Sequence, residues 1–272
     1  MVSWLVTGSN RGIGLGFIRK LSADPNNIVF AVTRNKSTSS DLLELESRLK
    51  NVHVLQADIT DVPSLRNIAT EVGKVTGGTL DVLVNNGAYL PQERADYTLD
   101  MYDGKEDLLD EDFGNFFKVN TLGVIKTINV FLPLLRKASQ TSLAKIITIS
   151  SGAGDSEFVV NTAFDSVAAY SVSKAAVNMV TAKYAARFKG ENLLFLSISP
   201  GLVNTHPEIP EEVVLESLRP IITKFQTSYP EWDGKPLTPE QSVTTVLDIV
   251  SRLTTKDSGA SLTHNGGTKD WL

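Results

Sequence analysis

Tyr170 and Lys174 stand four residues apart in Tyr170-Ser171-Val172-Ser173-Lys174. That spacing puts both side chains on one face of a helix, one turn apart. A phenol titrates near pH 10 when unperturbed and is a poor base at neutral pH. A neighbouring ammonium favours the phenolate and is expected to lower that value. Such a phenol can exchange a proton with a substrate oxygen while a nicotinamide exchanges hydride with the adjoining carbon. The pair alone carries little weight, because tyrosine and lysine meet at this spacing often by chance. Its weight comes from what stands elsewhere. Ile149-Ser150-Ser151-Gly152 closes one apolar run and Asn85-Asn86-Gly87-Ala88 closes another. In a parallel sheet such strand ends line the ligand crevice. A serine hydroxyl there can hydrogen-bond the same substrate oxygen. Side chains alternate along a strand, so only one of Ser150 and Ser151 faces the crevice from regular geometry. Asn120 lies in the middle of an apolar helical stretch, where an amide is mildly unfavourable and marks a bend, a bound water or a satisfied core group.

A second constellation opens the chain. The first apolar run ends in Thr7-Gly8-Ser9-Asn10-Arg11-Gly12-Ile13-Gly14, and a helical pattern follows. Glycines there permit a tight turn and a close backbone approach to a pyrophosphate, and the helix start offers free N–H groups and a positive dipole end. A glycine cluster is weak evidence by itself. Directly after a strand and at a helix start it reads as a dinucleotide-binding turn. A nucleoside-triphosphate loop is excluded, since no Gly-Lys-Ser/Thr follows. After the second strand, an NAD site places an acid against the ribose 2′-hydroxyl, whereas an arginine accommodates a 2′-phosphate. Here the run is Ala31-Val32-Thr33-Arg34-Asn35, and Arg11 sits inside the glycine turn. Two basic residues in place of an acid predict NADP(H) as the cofactor.

These groups need a sheet to hold them. The sequence predicts strands at Trp4–Thr7, Ile28–Thr33, Val52–Ala57, Val82–Asn85, Lys145–Ser150 and Leu193–Ser199, with a weaker seventh near Ser261–His264. Most are apolar on both faces, as central parallel strands are. Helical periodicity falls between them: Ile13, Phe17, Ile18 and Leu21; Leu65, Ile68, Ala69 and Val72 behind an Asp61 cap with Pro63 in the first turn; and the long stretches Phe113–Leu135 and Ala169–Phe188. The alternation predicts an α/β chain with a single Rossmann-type domain over residues 1–272, doubly wound, its seven-stranded sheet mostly parallel with helices on both faces. Thr205–Pro239, rich in proline and acid, breaks the alternation and is expected to be an irregular insertion acting as a substrate lid. Ala88–Glu111 is a second irregular, acidic stretch, read equally well as a solvated loop or a functional one.

Composition narrows the function classes. The chain has 272 residues, no cysteine and a net charge of −5. Disulfide and thiolate chemistry are excluded, and no global basic field would hold nucleic acid or an anionic membrane. The first residues run straight into a strand pattern without a basic segment and long apolar run, so no secretory signal and no membrane association are expected, and a cytoplasmic location is. His53, His206 and His264 show no ligand spacing, so no metal is expected.

Taken together, the motifs resemble the short-chain dehydrogenase/reductase family over essentially the whole chain. The family's Thr-Gly-x3-Gly-x-Gly turn matches Thr7 to Gly14. Its adenine-contacting acid matches Asp58 in Ala57-Asp58-Ile59, and its Asn-Asn-Ala-Gly element matches Asn85-Asn86-Gly87-Ala88 with the last two swapped. Its catalytic Asn-Ser-Tyr-Lys set carries over to Asn120, Ser151, Tyr170 and Lys174, and its Pro-Gly element to Ser199-Pro200-Gly201. Gly8 to Gly16 and Asp270-Trp271 are similar to a subgroup of C-factor-like and sniffer-like carbonyl reductases and fungal norsolorinic acid ketoreductase-like enzymes. The resemblance implies cofactor contacts from Gly8, Asn10, Arg11, Gly12, Ile13, Gly14, Arg34, Asp58, Ile59, Asn86, Gly87, Tyr170, Lys174, Pro200, Gly201, Val203 and Thr205. It implies that Tyr170 is the acid in carbonyl reduction, that Lys174 lowers its pKa and holds a ribose hydroxyl, that Ser151 polarises the substrate oxygen, and that Asn120 holds a water. The substrate implied is a small carbonyl or alcohol. Ser151 and Tyr170 stand farther apart than is usual in the family, so an insertion within Asp155–Ser166 is expected, and Ser150 stays open as the alternative. Phe113–Leu135 and Ala169–Phe188 resemble the helices that pair into the family's dimer interface, implying a homodimer or homotetramer. Two rival readings share the fold: an enoyl reductase, dehydratase or epimerase, and a dinucleotide-sensing regulator without turnover.

Overall fold

A computed structural model describes residues 1–206 and 208–272. Seven strands, β1 (Val2–Thr7), β2 (Asn27–Thr33), β3 (Val52–Gln56), β4 (Val82–Asn85), β5 (Ala144–Ile149), β6 (Leu193–Ile198) and β7 (Ser261–Leu262), form one sheet in the order β3-β2-β1-β4-β5-β6-β7. Every neighbouring pair is parallel, so the sheet is wholly rather than mostly parallel. The chain winds outward from β1 in one direction and, from β4, in the other. The crevice of the fold therefore opens at the carboxyl ends of β1 and β4.

Both sheet faces are covered. Helices α1 (Gly12–Ser22), α2 (Ser40–Arg48) and α9 (Pro239–Arg252) bury Phe17, Leu42, Val243 and Val246 against Val6, Val84 and Leu196. Helices α3 (Val62–Thr76), α5 (Gly123–Ala138) and α7 (Ala168–Arg187) bury Ile68, Val124, Phe131 and Val177 against the residues of the opposite pleat, Leu5, Leu83, Ile146 and Phe195. The alternate side chains of β1, β4, β5 and β6 thus feed two different cores, which is why these strands read as apolar throughout. Asp61 caps α3 as expected, accepting from the Ser64 N–H at 3.1 Å.

Three elements differ from expectation. The stretch Phe113–Leu135 is not one helix. Helix α4 (Glu106–Phe117) and α5 are joined through a π-helical turn, Lys118–Leu122, centred on Asn120. The widened turn lets the Asn120 amide reach a neighbouring loop, as single π turns at functional sites do. The expected insertion near Asp155–Ser166 is a short helix, α6 (Ser156–Thr162), capped by Asp155. Thr205–Pro239 is not irregular: it holds α8 (Glu211–Ser228), 18 residues long, opened by Glu211 and Glu212 behind Pro210. Acids in a first turn favour helix starts, and Leu218, Ile221, Ile222 and Phe225 keep helical spacing through Pro220. The whole excursion leaves and returns at one parallel bridge, Val203 with Leu237.

Ala88–Glu111 is likewise a built wall rather than a solvated loop. Asp112, buried on α4, accepts from Arg94 Nε at 2.7 Å and from the Tyr102 hydroxyl at 2.9 Å. Burial first, and then that hydrogen bond, push the Tyr102 phenol up to about 12. The Tyr97 carbonyl accepts from the Ala168 N–H at 3.1 Å, tying the wall to the first turn of α7. Asp112→Ala leaves two buried-side donors without their acceptor and should lower the melting temperature by several degrees, with Asp112→Asn intermediate. Thermal melts of the three proteins check this, and superimposable melts would contradict it.

Candidate active site

The glycine turn sits where β1 and β4 diverge. Gly8 has φ +67°, and a Cβ there would lie 2.6 Å from Gly87 Cα; one on Gly14 would lie 2.1 Å from the Gly8 carbonyl oxygen. Only backbone fits at these places, which is the close approach the sequence pattern demands. Thr7 Oγ1 accepts from the Asn86 and Gly87 N–H groups at 3.0 and 3.1 Å, and Asn86 Nδ2 donates to the Thr7 and Gly8 carbonyls at 3.0 Å each. Asn86 is therefore committed to shaping the turn. At its far side Arg11 precedes α1 with no side-chain cap and no acid in the first turn. The leading N–H groups of α1 are accordingly available to an anion.

Arg11 and Arg34 are both exposed beside that helix start, and among the described residues neither has a carboxylate within ion-pair distance. Asn10 is exposed next to them, and Ile13 packs into the core under α1. Across the crevice, Asp58 Oδ1 accepts from the Thr60 N–H and hydroxyl at 2.7 and 2.8 Å, which fixes its carboxylate at the end of β3. Ile59 wedges between Gly87 and Gly123: Cβ atoms added there would lie 3.5 and 3.0 Å from Ile59 Cδ1. The Pro200 carbonyl accepts from the Ser242 hydroxyl at 2.7 Å, holding the turn through Gly201 on α9. Val203 forms the bridge at the base of the excursion, and Thr205 lies over the glycine turn, its Cβ 3.1 Å from where one on Gly12 would be. The cradle fits a dinucleotide: glycines that no side chain can replace, uncapped helix donors and two exposed guanidinium groups.

The second constellation lies one strand further along. Ser150 and Ser151 diverge as strand alternation requires. Ser150 is buried and donates to Asn178 Oδ1 on α7 at 2.6 Å. Ser151 lies on the Tyr170 side, close enough to pull the phenol pKa down, and its hydroxyl accepts from the Ala153 N–H at 3.2 Å. Of the two, Ser151 is the one brought to the phenol. Lys174 is buried, its Nζ donating to the Ile149 carbonyl at 2.8 Å and lying 5.4 Å from the Tyr170 ring centroid. The protonation pattern differs from the expectation that the ammonium lowers the phenol. Burial pushes Tyr170 up to about 12, against an opposing pull from Ser151, and pushes Lys174 down to about 8. Desolvation disfavours each charged form and is the leading cause of both shifts.

Asn120 joins these parts. Its Oδ1 accepts from the Tyr89 N–H at 2.7 Å, and its Nδ2 donates to the Tyr89 carbonyl and to Ser173 Oγ, each at 3.0 Å. Ser173 Oγ in turn donates to the Tyr170 carbonyl at 2.7 Å. The Tyr170 ring packs edge-on against Phe116, with centroids 6.4 Å apart, and Phe116 against Tyr89 at 5.0 Å. The aromatic residues Phe158, Phe164 and Trp232 gather with Phe225 and Trp271 in a third apolar cluster that also touches Tyr170. Sequence reasoning named Thr7 only as the start of the turn motif, without a role, and passed over Asn178; a polar residue four positions beyond Lys174 was the available signal. Among the described residues no group of acids and histidines is arranged to hold a metal, and no helix is long and apolar enough to cross a membrane.

Known proteins are similar to this chain in sequence and fold. The short chain dehydrogenase family model matches residues 3–212. The chain is 40% identical to the short-chain dehydrogenase/reductase atnB of an Arthrinium species over 272 residues, all of both chains. It is 39% identical to the short-chain dehydrogenase/reductase AacuF of Aspergillus aculeatus over 274 residues, again over both full lengths. Among solved structures it is similar to an NADPH-bound carbonyl reductase from chicken fatty liver, with a TM-score of 0.80, 31% identity and coverage of 99% of this chain and 98% of that one. With a family model covering most of its length and full-length relatives of this identity, the chain belongs to the short-chain dehydrogenase/reductase family of oxidoreductases.

Proposed function

We propose that the protein is an NADPH-dependent carbonyl reductase, acting on a ketone or aldehyde. The observation that carries this is the Tyr170 phenol at the crevice edge, with Lys174 Nζ 5.4 Å from its ring centroid and Ser151 beside it, protonated through the neutral range as a phenol is. A protonated phenol is a proton donor, the group a carbonyl oxygen needs as it becomes an alkoxide. NADPH, when bound, supplies the hydride. Ser151 donates to the substrate oxygen and polarises the carbonyl. Tyr170 gives that oxygen its proton. Lys174, whose amine loses its proton near 8, replenishes the phenol and stabilises transient phenolate. Asn120 acts as the clamp that keeps the Tyr89 loop and the first turn of α7 in register. Arg11 and Arg34 hold the 2′-phosphate, the structural NADPH-bound relative supports that cofactor, and the free guanidinium groups favour it over NADH. The excursion between Val203 and Leu237 serves as the substrate cap, with α8 lying over α6 beside Tyr170.

Phe117 and Leu122 around the π turn, and Val172 and Met179 on α7, are exposed to 42, 39, 47 and 60%. Apolar side chains this exposed on two helices of one molecular face support a homodimer or homotetramer built across them. Sedimentation at micromolar concentration should give a dimer or tetramer, and Met179→Glu should shift it toward monomer; a wild-type monomer would refute the assembly.

Activity tests the proposal directly. Wild type should oxidise NADPH when offered aromatic ketones, aldehydes or quinones, and Tyr170→Phe should lose about 10²–10⁴-fold in kcat while still binding NADPH. Equal turnover by the two proteins would sink the assigned role. Stability gives an independent check on Lys174. Its folded pKa lies below the ordinary 10.5, so its favourable contribution is full above 10.5 and is lost as pH falls through about 8. Wild type should therefore gain in melting temperature on Lys174→Met as pH rises across that interval, and parallel pH profiles would contradict the burial argument.

A further inference from the structure

The turn that carries Ser151 is gripped from both sides. Gly152–Gly154 form one 3₁₀ turn, and the Ser151 hydroxyl accepts from the Ala153 N–H at 3.2 Å, so the serine side chain is tied to the backbone of that turn. On one side, a Cβ on Gly154 would lie 2.7 Å from the Lys174 carbonyl carbon and 2.8 Å from the Ala175 nitrogen. The turn therefore rests directly on the backbone of α7. On the other, a Cβ on Gly152 would lie 3.1 Å from Trp271 Cε3. The indole reaches this place from the segment after β7, far away in sequence, and is 5% exposed. It stacks obliquely on Phe158 with centroids 5.8 Å apart. Its segment is strapped down: Lys269 pairs with Glu157 on α6 at 3.3 Å, and the Lys269 carbonyl accepts from the Tyr229 hydroxyl at 3.4 Å.

We propose that Trp271 is the positioning residue for Ser151: its indole presses the Gly152–Gly154 turn onto α7 and so fixes the serine hydroxyl against the Tyr170 phenol. This rests on the role assigned to Ser151 above. Gly152 and Gly154 mark the two contact faces, and removing the indole takes away the nearest contact on the Gly152 face and leaves only the Phe158 ring there, 3.4 Å from the same position. The turn can then lift from α7, while Tyr170 and Lys174 stay on a helix that has its own packing against the sheet. A displacement of about 1 Å in a group that must meet the substrate oxygen costs up to about 10²-fold in rate.

The test is a double-mutant cycle with hydrogen exchange as a readout that needs no substrate. Trp271→Ala should speed exchange of the 152–155 amides and leave the middle of α7 unchanged. It should lower kcat by roughly 10- to 100-fold without weakening NADPH binding, and Trp271→Phe should recover most of the loss. In a Ser151→Ala background Trp271→Ala should cost nothing more, because the group it positions is gone. If the alanine variant melts below the assay temperature, Trp271→Leu serves in the same cycle. Unchanged exchange at 152–155, or the same factor lost in both backgrounds, overturns the proposal and leaves the role of Ser151 standing. A Ser151→Ala protein with undiminished turnover removes that role, and the proposal falls with it.

Discussion

At the switch point of the sheet, the backbone of Gly8 lies against the backbone of Gly87 with no room for a side chain between them. That contact depends on Gly8 having no side chain and on Asn86, whose amide reaches back to the Thr7 and Gly8 carbonyls. The dinucleotide cradle depends on it directly, since it sets where the leading N–H groups of α1 point. The proton-transfer site depends on it at one remove. A hydrogen-bonded path runs from Thr7 to Asn86 and Gly87, then along the chain to Tyr89, across to Asn120, on to Ser173 and into the carbonyl of Tyr170. The turn that would hold the cofactor and the phenol that would serve the substrate are thereby parts of one framework.

Within that framework, burial sets the charge states. Tyr170 and Lys174 are both pushed toward neutrality, the phenol upward and the amine downward. The raised phenol is the weaker acid and the lowered amine the readier donor, so a proton passes downhill from Lys174 to a phenolate at Tyr170. The arrangement costs stability at neutral pH, because folding removes an amine from water where it would rather be charged, and functional sites commonly carry such a cost. The same logic separates the adjoining serines. Ser150 is spent on Asn178 inside the fold, and Ser151 is left facing the phenol.

Much of this was legible in the sequence. All seven strands, α1, α3 and α7 stand within a few residues of their apolar runs, because burial on both faces leaves so clear a pattern. The glycine turn, Asn86, Ser151, Tyr170 and Lys174 fall at the strand ends and helix face that their spacing implied. What escaped was set by tertiary contact. The π turn at Asn120 exists because its amide answers the Tyr89 backbone, and no periodicity within α4 or α5 encodes that partner. Helix α8 was hidden by Pro220 and by acidic residues that read as loop, and its apolar stripe finds its purpose only against α6. The raised phenol pKa also escaped, since tyrosine–lysine spacing speaks of charge proximity and is silent about desolvation.

The proposal that this crevice takes NADPH in preference to NADH rests on Arg11 and Arg34, which have no carboxylate within ion-pair distance among the described residues. It is tested most directly by paired fluorescence titrations of wild type and Arg34→Asp with NADPH and with NADH. Wild type should bind NADPH much more tightly than NADH, and the variant should lose this preference, because an acid at that position repels the 2′-phosphate and accepts from a 2′-hydroxyl instead. Well-folded protein that binds neither nucleotide, or a preference for NADPH that survives the substitution intact, would contradict it.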